Sequence, residues 1–412
     1  MKKIILCFII MVTCILLIAC TSDQSHESVT ETSIDTDVTQ TSDAESLDTI
    51  VEETEEITTI VEETTLEEIE STEPAAVELY QLVPENRSLM QCYVIKTING
   101  KLIVIDGGID GEGKDRDPYL PTALRAIAGV DEGEYFEVEA WFLSHAHKDH
   151  MYELSKMMAE YSLDSNYKIN NIYFDFPEFG SEAYPAENAD MDISKLRENM
   201  NKYGEVIGAS VKEGSTYYDD LNGSVINAEA VSNGLSFEID GVRFDILQTW
   251  SPEDGVGNLN DTSIVIRMWV GEQSVLFLND LGKTGGRRLL KTYGEQLKSD
   301  IVQMAHHGQA GVTEEVYDAI DAKVHLWPTP IWVWYNDNHT YQIDEVRTWL
   351  YGQNFLTADE YNIVSCLYRK YPPRSTAIKA WEKVIEYMRI EFPYMPAESS
   401  TDTSGEETTA TP

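Results

Sequence analysis

The chain has 412 residues, of which 72 are acidic and 30 are basic, so its formal charge is −42 at neutral pH. This length suffices for one large domain with a substantial buried core. The acidic excess and the lack of a basic cluster disfavour nucleic acid as a partner, because a surface of the same sign repels a polyanion. Five cysteines, three of them within the first twenty residues, exclude a disulfide-stabilised scaffold. Cys92 and Cys366 either pair or remain buried thiols.

The N-terminal residues are typical of a bacterial export signal that ends at a lipid attachment site. Lys2 and Lys3 precede an apolar run from Ile4 to Ala19, which is short for a helix that spans a membrane. Cys20 follows this run, and the sequence around it resembles the lipobox of bacterial lipoproteins. The resemblance implies that 1–20 is a signal peptide and that lipidated Cys20 anchors the chain to the cell membrane. An uncleaved anchor and an ordinary signal are the alternatives, and each also places the remaining chain outside the cytoplasm.

Two further segments have a composition typical of disorder. Residues 21–76 contain 18 of the 72 acidic residues, no lysine or arginine, and almost no aromatic side chains. Such a segment cannot bury enough apolar surface to offset the entropy lost on ordering, and its like charges keep it extended. The sequence therefore predicts a disordered acidic spacer over 21–76, a folded domain over 77–395, and a disordered tail over 396–412.

Strands and helices alternate through the predicted domain after an initial hairpin. The apolar runs 92–96 and 101–105 are joined by the turn signal Asn99-Gly100 and predict an antiparallel pair. The periodicity of the following residues predicts, in chain order, helix 121–128, strand 138–143, helix 151–161, strand 171–176, helix 193–203, strands 242–247, 263–270 and 274–278, helix 286–293, strand 301–304 and helix 312–320. This order predicts an α/β domain in which sheets lie between layers of helices.

Three histidines and one aspartate follow directly on the predicted strand 138–143; they are His145, His147, Asp149 and His150. Residues two apart in an extended chain point to the same side, so the imidazoles of His145 and His147 can bind one ion. Asp149 and His150 lie at the start of the next helix and can face a second ion. Imidazole and carboxylate together suit zinc or a similar divalent metal. The alternative is a polar loop with surface histidines.

Two distant segments offer further ligands. Asp280 follows the predicted strand 274–278, where a carboxylate can bridge two ions, although an isolated aspartate there is more often a turn residue. His306, His307 and Gly308 follow the strand 301–304. His325 lies inside an apolar run, so the sequence predicts that it is a core or strand-edge residue.

These segments, taken in order, resemble the metallo-β-lactamase superfamily, and in particular the extracytoplasmic hydrolase domain of ComEC-type competence proteins. The resemblance extends from about Leu79 to Arg369. Its motifs are Val104–Gly108, Ser144–His150, Asn260–Ile266, Asp280, His306–Gly308 and Asn338–His339. Asn279 and Gln309 depart from the pattern, which usually has Gly and Ser there. The middle histidine of the wider superfamily has no counterpart.

The resemblance implies a four-layer αββα sandwich that binds two divalent metal ions, zinc first among them, at one edge of its sheets. The expected ligands divide between the two ions as follows: His145 and His147 for the first, Asp149, His150 and His306 for the second, and Asp280 as the bridge. Asp149 would also orient the attacking water, and His307 would protonate the leaving oxygen. His339 would either contribute to the site as a ligand or substrate contact, or lie in a surface loop.

The sequence favours a hydrolase of phosphoester or phosphodiester bonds at the cell envelope, similar to the phosphorylcholine esterases of choline-decorated cell walls. Trp332 and Trp334 stand two residues apart, so a strand would place both on one face. This pair is either ordinary core packing or an aromatic platform for a sugar or a quaternary ammonium group. A ComEC-type nuclease and a non-enzymatic surface lipoprotein are the alternative functions.

Overall fold

The computed structural model describes residues 76–82, 91–109, 119–160, 166–176, 190–206, 233–251, 258–352, 363–365, 375–380 and 383–394. The predicted signal peptide with Cys20, the spacer up to residue 75, the tail 396–412 and Cys366 lie outside the described residues. None of the helices in the described ranges has the length and apolarity needed to cross a membrane.

The first of two sheets contains eight strands, and both ends of the described chain contribute to it. Its strands are β1 (Val77–Leu82), β2 (Cys92–Lys96), β3 (Leu102–Asp106), β4 (Phe136–Phe142), β5 (Tyr167–Ile169), β6 (Ile172–Tyr173), β14 (Ser375–Ala380) and β15 (Lys383–Phe392). The order is β14-β15-β1-β2-β3-β4-β5, and β6 also pairs with β4. The predicted hairpin is confirmed, because β2 and β3 pair antiparallel around Asn99 and Gly100. Gly100 has a φ of 79°, which explains the glycine in this turn.

The second sheet contains seven strands in the order β13-β12-β11-β10-β9-β8-β7. They are β7 (Ser236–Ile239), β8 (Val242–Gln248), β9 (Val265–Val270), β10 (Gln273–Phe277), β11 (Ile301–Gln303), β12 (Val324–Trp327) and β13 (Ile363–Ser365). The helices are α1 (Tyr119–Ala128), α2 (Lys148–Glu160), α3 (Asp190–Val206), α4 (Lys283–Tyr293), α5 (Glu314–Ile320), α6 (Ile331–Tyr335) and α7 (Ile343–Tyr351). The strand predicted over 171–176 is shorter than expected, since β6 ends at Tyr173; Phe174 and Phe176 beyond it pack in a core.

Three apolar cores separate four layers. The first lies between the first sheet and α1 to α3, with Trp141 and Leu154 among its members. The second lies between the two sheets and includes Phe142 and Phe277. The third packs α4 to α7 against the second sheet. Trp141 and Phe142, which are neighbours on β4, pack in different cores, which explains why the end of this strand is apolar on both faces. The predicted four-layer αββα sandwich is confirmed.

The strand directions bring the polar segments to one edge. β3 runs parallel to β4, and β10 runs parallel to β11. The carboxyl ends of parallel strands meet at the same edge of a sheet. Asp106 ends β3, the histidine-rich run follows β4, Asp280 follows β10, and the two consecutive histidines follow β11.

His325 makes the fold sensitive to acid. It lies on β12 with 8% of its surface exposed, and its ring meets that of Tyr351 edge-on at 5.4 Å. Its predicted place in the core is confirmed. Burial lowers the pKa of His325 to about 4. Because the unfolded chain takes up this proton at higher pH than the folded chain, stability falls as the pH drops from about 6.5 towards 4.

We expect this one histidine to remove about 2 kcal/mol of unfolding free energy between pH 7 and pH 5. A His325→Leu chain should lose correspondingly less stability over that interval, because leucine does not titrate. Urea unfolding of both chains at the two pH values, with a chelator present, measures the difference. Equal pH dependence in the two chains would contradict the expectation.

Candidate metal centre

The run after β4 turns tightly and directs two imidazoles towards one point. His145 is fully buried and His147 is partly buried. His145 Nε2 lies 2.9 Å from His147 Nδ1, and the two rings meet at 72°. Asp280 completes a group of three whose donor atoms all lie within 4.8 Å of one another. Two imidazoles and a carboxylate in this arrangement are suitable ligands for a divalent metal ion.

A second group forms on the other side of the same carboxylate. It contains Asp149, His150, Asp280 and His307, and its donor atoms also lie within 4.8 Å of one another. Asp280 Oδ2 lies 3.2 Å from His150 Nε2 and 3.6 Å from His307 Nε2. His307 Nε2 lies 3.4 Å from Asp149 Oδ2. The structure therefore places Asp280 in both groups.

Hydrogen bonds fix one nitrogen of each ring in the second group and leave the other directed at the centre. His150 Nδ1 lies 2.7 Å from Asp106 Oδ2, and His307 Nδ1 donates to the carbonyl of Pro328 at 2.9 Å. His150 Nε2, His307 Nε2 and Asp280 Oδ1 are buried and have no hydrogen-bond partner within the described part of the chain. Unpartnered buried polar atoms are costly, so nitrogen and oxygen atoms that converge in this way fit a metal ion.

The charges of the centre favour cation binding. Burial acts to raise the pKa of Asp280, but His150, His307 and His306 outweigh it and hold this pKa well below its usual range. Burial lowers the pKa of His145 well below its usual range, so this ring is neutral. Burial acts against protonation of His150 too, but Asp280, Asp106 and Asp149 raise its pKa. A binding cation must therefore displace a proton from His150, and binding weakens as the pH falls.

The two consecutive histidines occupy different positions from those expected. His307, and not His306, lies with Asp149 and His150. Both residues have positive φ, 49° and 54°, so the chain turns sharply between the two rings. His306 Nε2 lies 3.8 Å from Asp280 Oδ2 and 3.3 Å from Asn260 Nδ2. Asn260 also hydrogen bonds to His147, which places His306 near the first group.

Asp106 and Asn260 support the centre, although the sequence assigned neither of them a role. Asp106 Oδ1 accepts a hydrogen bond from the Ser144 backbone N–H, and its Oδ2 accepts from the Ser144 hydroxyl. Asp106 also contacts His150, so this buried carboxylate fixes the start of the histidine-rich turn. The sequence could have indicated a role for Asp106, because Asp106 ends a buried strand just as Asp280 follows one.

His339 lies away from both ligand groups. Its side chain is 86% exposed, and its Nδ1 lies 3.7 Å from Asp344 Oδ2. Of the two alternatives for His339, a contribution to the site or a position in a surface loop, the structure shows the surface loop.

The prediction that Trp332 and Trp334 share a strand face is wrong, because both lie on the short helix α6. Trp334 is buried, with its ring edge-on to Trp327 at 5.3 Å and the Arg347 guanidinium above it at 4.5 Å. Trp332 is only partly buried and packs against Tyr341. The two tryptophans therefore do not form a joint platform, and Trp334 belongs to the core.

Comparison with known proteins identifies the family. The profile of the metallo-beta-lactamase superfamily matches residues 90–324, which is more than half of the chain. The chain belongs to this superfamily. The metallo-beta-lactamase profile ends at β12 and covers every residue of the two ligand groups.

One sequence relative and two solved structures are similar to this chain, each at low identity. ComE operon protein 3 of Bacillus subtilis (strain 168) is 28% identical over 89 residues, which is 22% of this chain and 11% of that protein. The metallo-beta-lactamase fold protein YhfI from Bacillus subtilis is 11% identical with a TM-score of 0.34, over 61% of this chain and 85% of its own. CmlA, a diiron beta-hydroxylase from Streptomyces venezuelae, is 12% identical with a TM-score of 0.33, over 62% and 46%.

Proposed function

We propose that the chain is a dinuclear metal-dependent hydrolase of phosphoester or phosphodiester bonds at the bacterial cell envelope. The observation that carries this proposal is the shared carboxylate. Asp280 belongs to one group with His145 and His147 and to another with Asp149, His150 and His307. A carboxylate between two ligand groups can hold two ions close together, and two such ions can stabilise the attacking and leaving oxygens of an in-line displacement at phosphorus.

The donor types suit zinc first, since imidazole nitrogen and carboxylate oxygen are its common ligands outside thiolate sites. Iron is the second candidate, because CmlA combines a diiron centre with a related fold. The first group has three members, and His306, which lies outside both groups, has its Nε2 3.8 Å from Asp280 Oδ2. We assign His306 to the ion held by His145 and His147, in place of the missing middle histidine.

Bound divalent ions lower the pKa of water from about 16 towards 7 and stabilise negative charge that develops on the attacked group. Asp149 keeps 22% of its side chain exposed, so it can reach solvent and orient the attacking water. The role of proton donor that the sequence suggested for His307 does not fit its geometry. His307 is fully buried, and its Nε2 lies 3.4 Å from Asp149 Oδ2 and 3.6 Å from Asp280 Oδ2, among the candidate metal ligands.

The net charge of the chain bears on its substrate, and its export signal bears on its location. A formal charge of −42 disfavours a nucleic acid and tolerates a small phosphoester with a cationic headgroup. The lipobox-like run before Cys20 supports a lipid anchor on the outer side of the membrane. The substrate that we propose is therefore a phosphoester of the envelope or a small soluble one.

The test combines metal analysis with a substrate panel on the purified chain. We expect about two divalent ions per chain and hydrolysis of bis-p-nitrophenyl phosphate or p-nitrophenylphosphorylcholine. His147→Ala should lose one ion and most of the activity, because it removes a ligand, whereas His339→Ala should retain both. A chain that binds no metal would refute the hydrolase assignment. Preference for single-stranded DNA at physiological salt would instead support the nuclease alternative.

A further inference from the structure

We propose that three buried carboxamides, those of Gln91, Asn279 and Gln303, position the two halves of the metal centre relative to each other. We call these residues the amide cluster. All three are fully buried. The proposal rests on the metal centre of the proposed function and assigns positioning residues to it.

The need for such positioning follows from the topology. The first sheet supplies His145, His147, Asp149 and His150 after β4, whereas the second sheet supplies Asp280 after β10 and the histidine pair after β11. The core between the sheets is apolar, and apolar packing is not directional. A metal centre needs its ligands held to within a fraction of an ångström. Directional contacts between the two sheets can provide this precision.

Gln91 makes the connection from the first sheet. It immediately precedes β2, and its Nε2 donates to Asp106 Oδ2 at 3.0 Å and to Asn279 Oδ1 at 2.8 Å. Asp106 Oδ2 also lies 2.7 Å from His150 Nδ1. The two hydrogens of the Gln91 amide therefore bind Asp106, which orients His150, and Asn279, which precedes Asp280.

Gln303 makes the connection from the second sheet. It ends β11, and its Oε1 accepts a hydrogen bond from the backbone N–H of Asn279. Its Nε2 donates to Gln91 Oε1 at 3.0 Å and to the Met304 carbonyl at 2.7 Å. The Asn279 carbonyl in turn accepts from the His306 backbone N–H at 2.9 Å. The amide cluster thus contacts the backbone that leads to Asp280 and to the histidine pair.

Backbone conformation shows why Asn279 needs this support. Asn279 has a φ of 51°, in the left-handed region that costs an ordinary residue about 1–2 kcal/mol. Glycine, which is usual here in the resembling sequences, would adopt this φ without that cost. Asparagine tolerates the conformation better than most residues, and its side chain contacts Gln91 and the Ile264 carbonyl. The departure from the family pattern therefore supplies one of the three amides of the cluster.

Two variants test the proposal against a matched control. Gln91→Met removes the amide at similar volume. Asn279→Gly removes the side chain and leaves a residue that favours the observed φ, so this chain should fold. Gln81→Met is the control: Gln81 is also buried and also joins the sheets, through Nε2 and the Trp327 carbonyl at 3.0 Å. Its Oε1 accepts from the Tyr93 hydroxyl at 2.7 Å, and neither Trp327 nor Tyr93 belongs to a ligand group.

The measurements are cobalt(II) affinity, the visible absorption spectrum of the bound cobalt, and the midpoint of thermal unfolding without added metal. Loss of residues that orient metal ligands typically weakens metal binding about 10–100-fold. We expect that loss, with a shifted cobalt spectrum, in Gln91→Met and Asn279→Gly. Gln81→Met should lower the unfolding midpoint and leave both cobalt affinity and spectrum unchanged.

Wild-type affinity and spectrum in both cluster variants would overturn the proposal, and so would an equal loss of affinity in Gln81→Met. A wild-type chain that binds cobalt but hydrolyses no phosphoester would refute the proposed function, while the comparison of variants would still decide the role of the amide cluster. A wild-type chain that binds no cobalt would overturn both.

Discussion

Asp280→Asn is expected to abolish binding of both metal ions and to lower the rate of hydrolysis by about 1,000-fold or more, equivalent to about 4 kcal/mol. The substitution preserves the shape of the side chain and removes its charge. Asp280 Oδ2 lies between 3.2 and 3.9 Å from the Nε2 atoms of four histidines, namely His145, His150, His306 and His307. Because Asp280 is common to both ligand groups, its loss affects both ions at once.

Asp261→Asn is the matched control for this experiment. Asp261 is also buried and lies on a neighbouring turn, but its Oδ1 accepts a hydrogen bond from the Gly285 backbone N–H at the start of α4. An asparagine oxygen can accept the same bond, so this chain should retain metal and activity. Metal analysis and the rate on bis-p-nitrophenyl phosphate measure both variants. Two ions per chain in Asp280→Asn would show that the carboxylate does not bridge them.

Gly308→Ala is expected to destabilise the fold by about 3 kcal/mol and to displace the histidine pair. Gly308 has a φ of 71°, and a Cβ there would lie 2.6 Å from Trp327 Cε3. Trp327 cannot easily move, since it is fully buried and its Nε1 donates to the Tyr351 hydroxyl at 3.1 Å. The backbone at His307 must shift instead, so metal affinity should fall together with stability.

Gly271→Ala separates the effect of φ from the effect of the clash. Gly271 has a φ of 58°, but a Cβ there would meet nothing within 4 Å. We therefore expect a loss of only about 1 kcal/mol and no change in metal affinity. Chemical unfolding and a metal titration on both chains provide the comparison. Similar losses in the two variants would mean that contact with Trp327 is unimportant.

The sequence predicted the parts of the site that depend on local pattern. Four potential ligands within six residues, directly after an apolar strand, indicate a metal site without knowledge of the fold. Asp280 required one further step, because an isolated aspartate at the end of a strand is more often a turn residue, and only the presence of the other ligand sets favoured a metal ligand. Both signals are short-range, and the structure brings the residues concerned together.

The assignment of His306 and His307 to separate positions could not be predicted in the same way. Consecutive side chains in a strand point to opposite faces, but these two residues are in left-handed conformations, so the rule for strands does not apply. Trp332 illustrates a related failure. Its aromatic neighbours favour a strand by propensity, yet Pro330 precedes a single helical turn that buries Trp334.

Sequence patterns also do not predict contacts between residues that lie far apart in the chain. β1 pairs with β15, which lies about 300 residues later in the chain, and Gln91 meets Gln303 across the two sheets. Neither contact can be recognised from the neighbouring residues in the sequence. A single polar residue beside an apolar run gives the same pattern whether its side chain faces solvent or another amide. The amide cluster therefore becomes visible only when both sheets are in place.

The pairing of β1 with β15 brings the outer ends of the first and last described strands to one side of the first sheet. β1 runs parallel to β3, because each is antiparallel to β2, so Val77 lies at the edge opposite Asp106. Phe392 pairs with Val77 and lies at that same far edge. The first described strand therefore begins, and the last one ends, on the side of the sheet opposite the metal ligands.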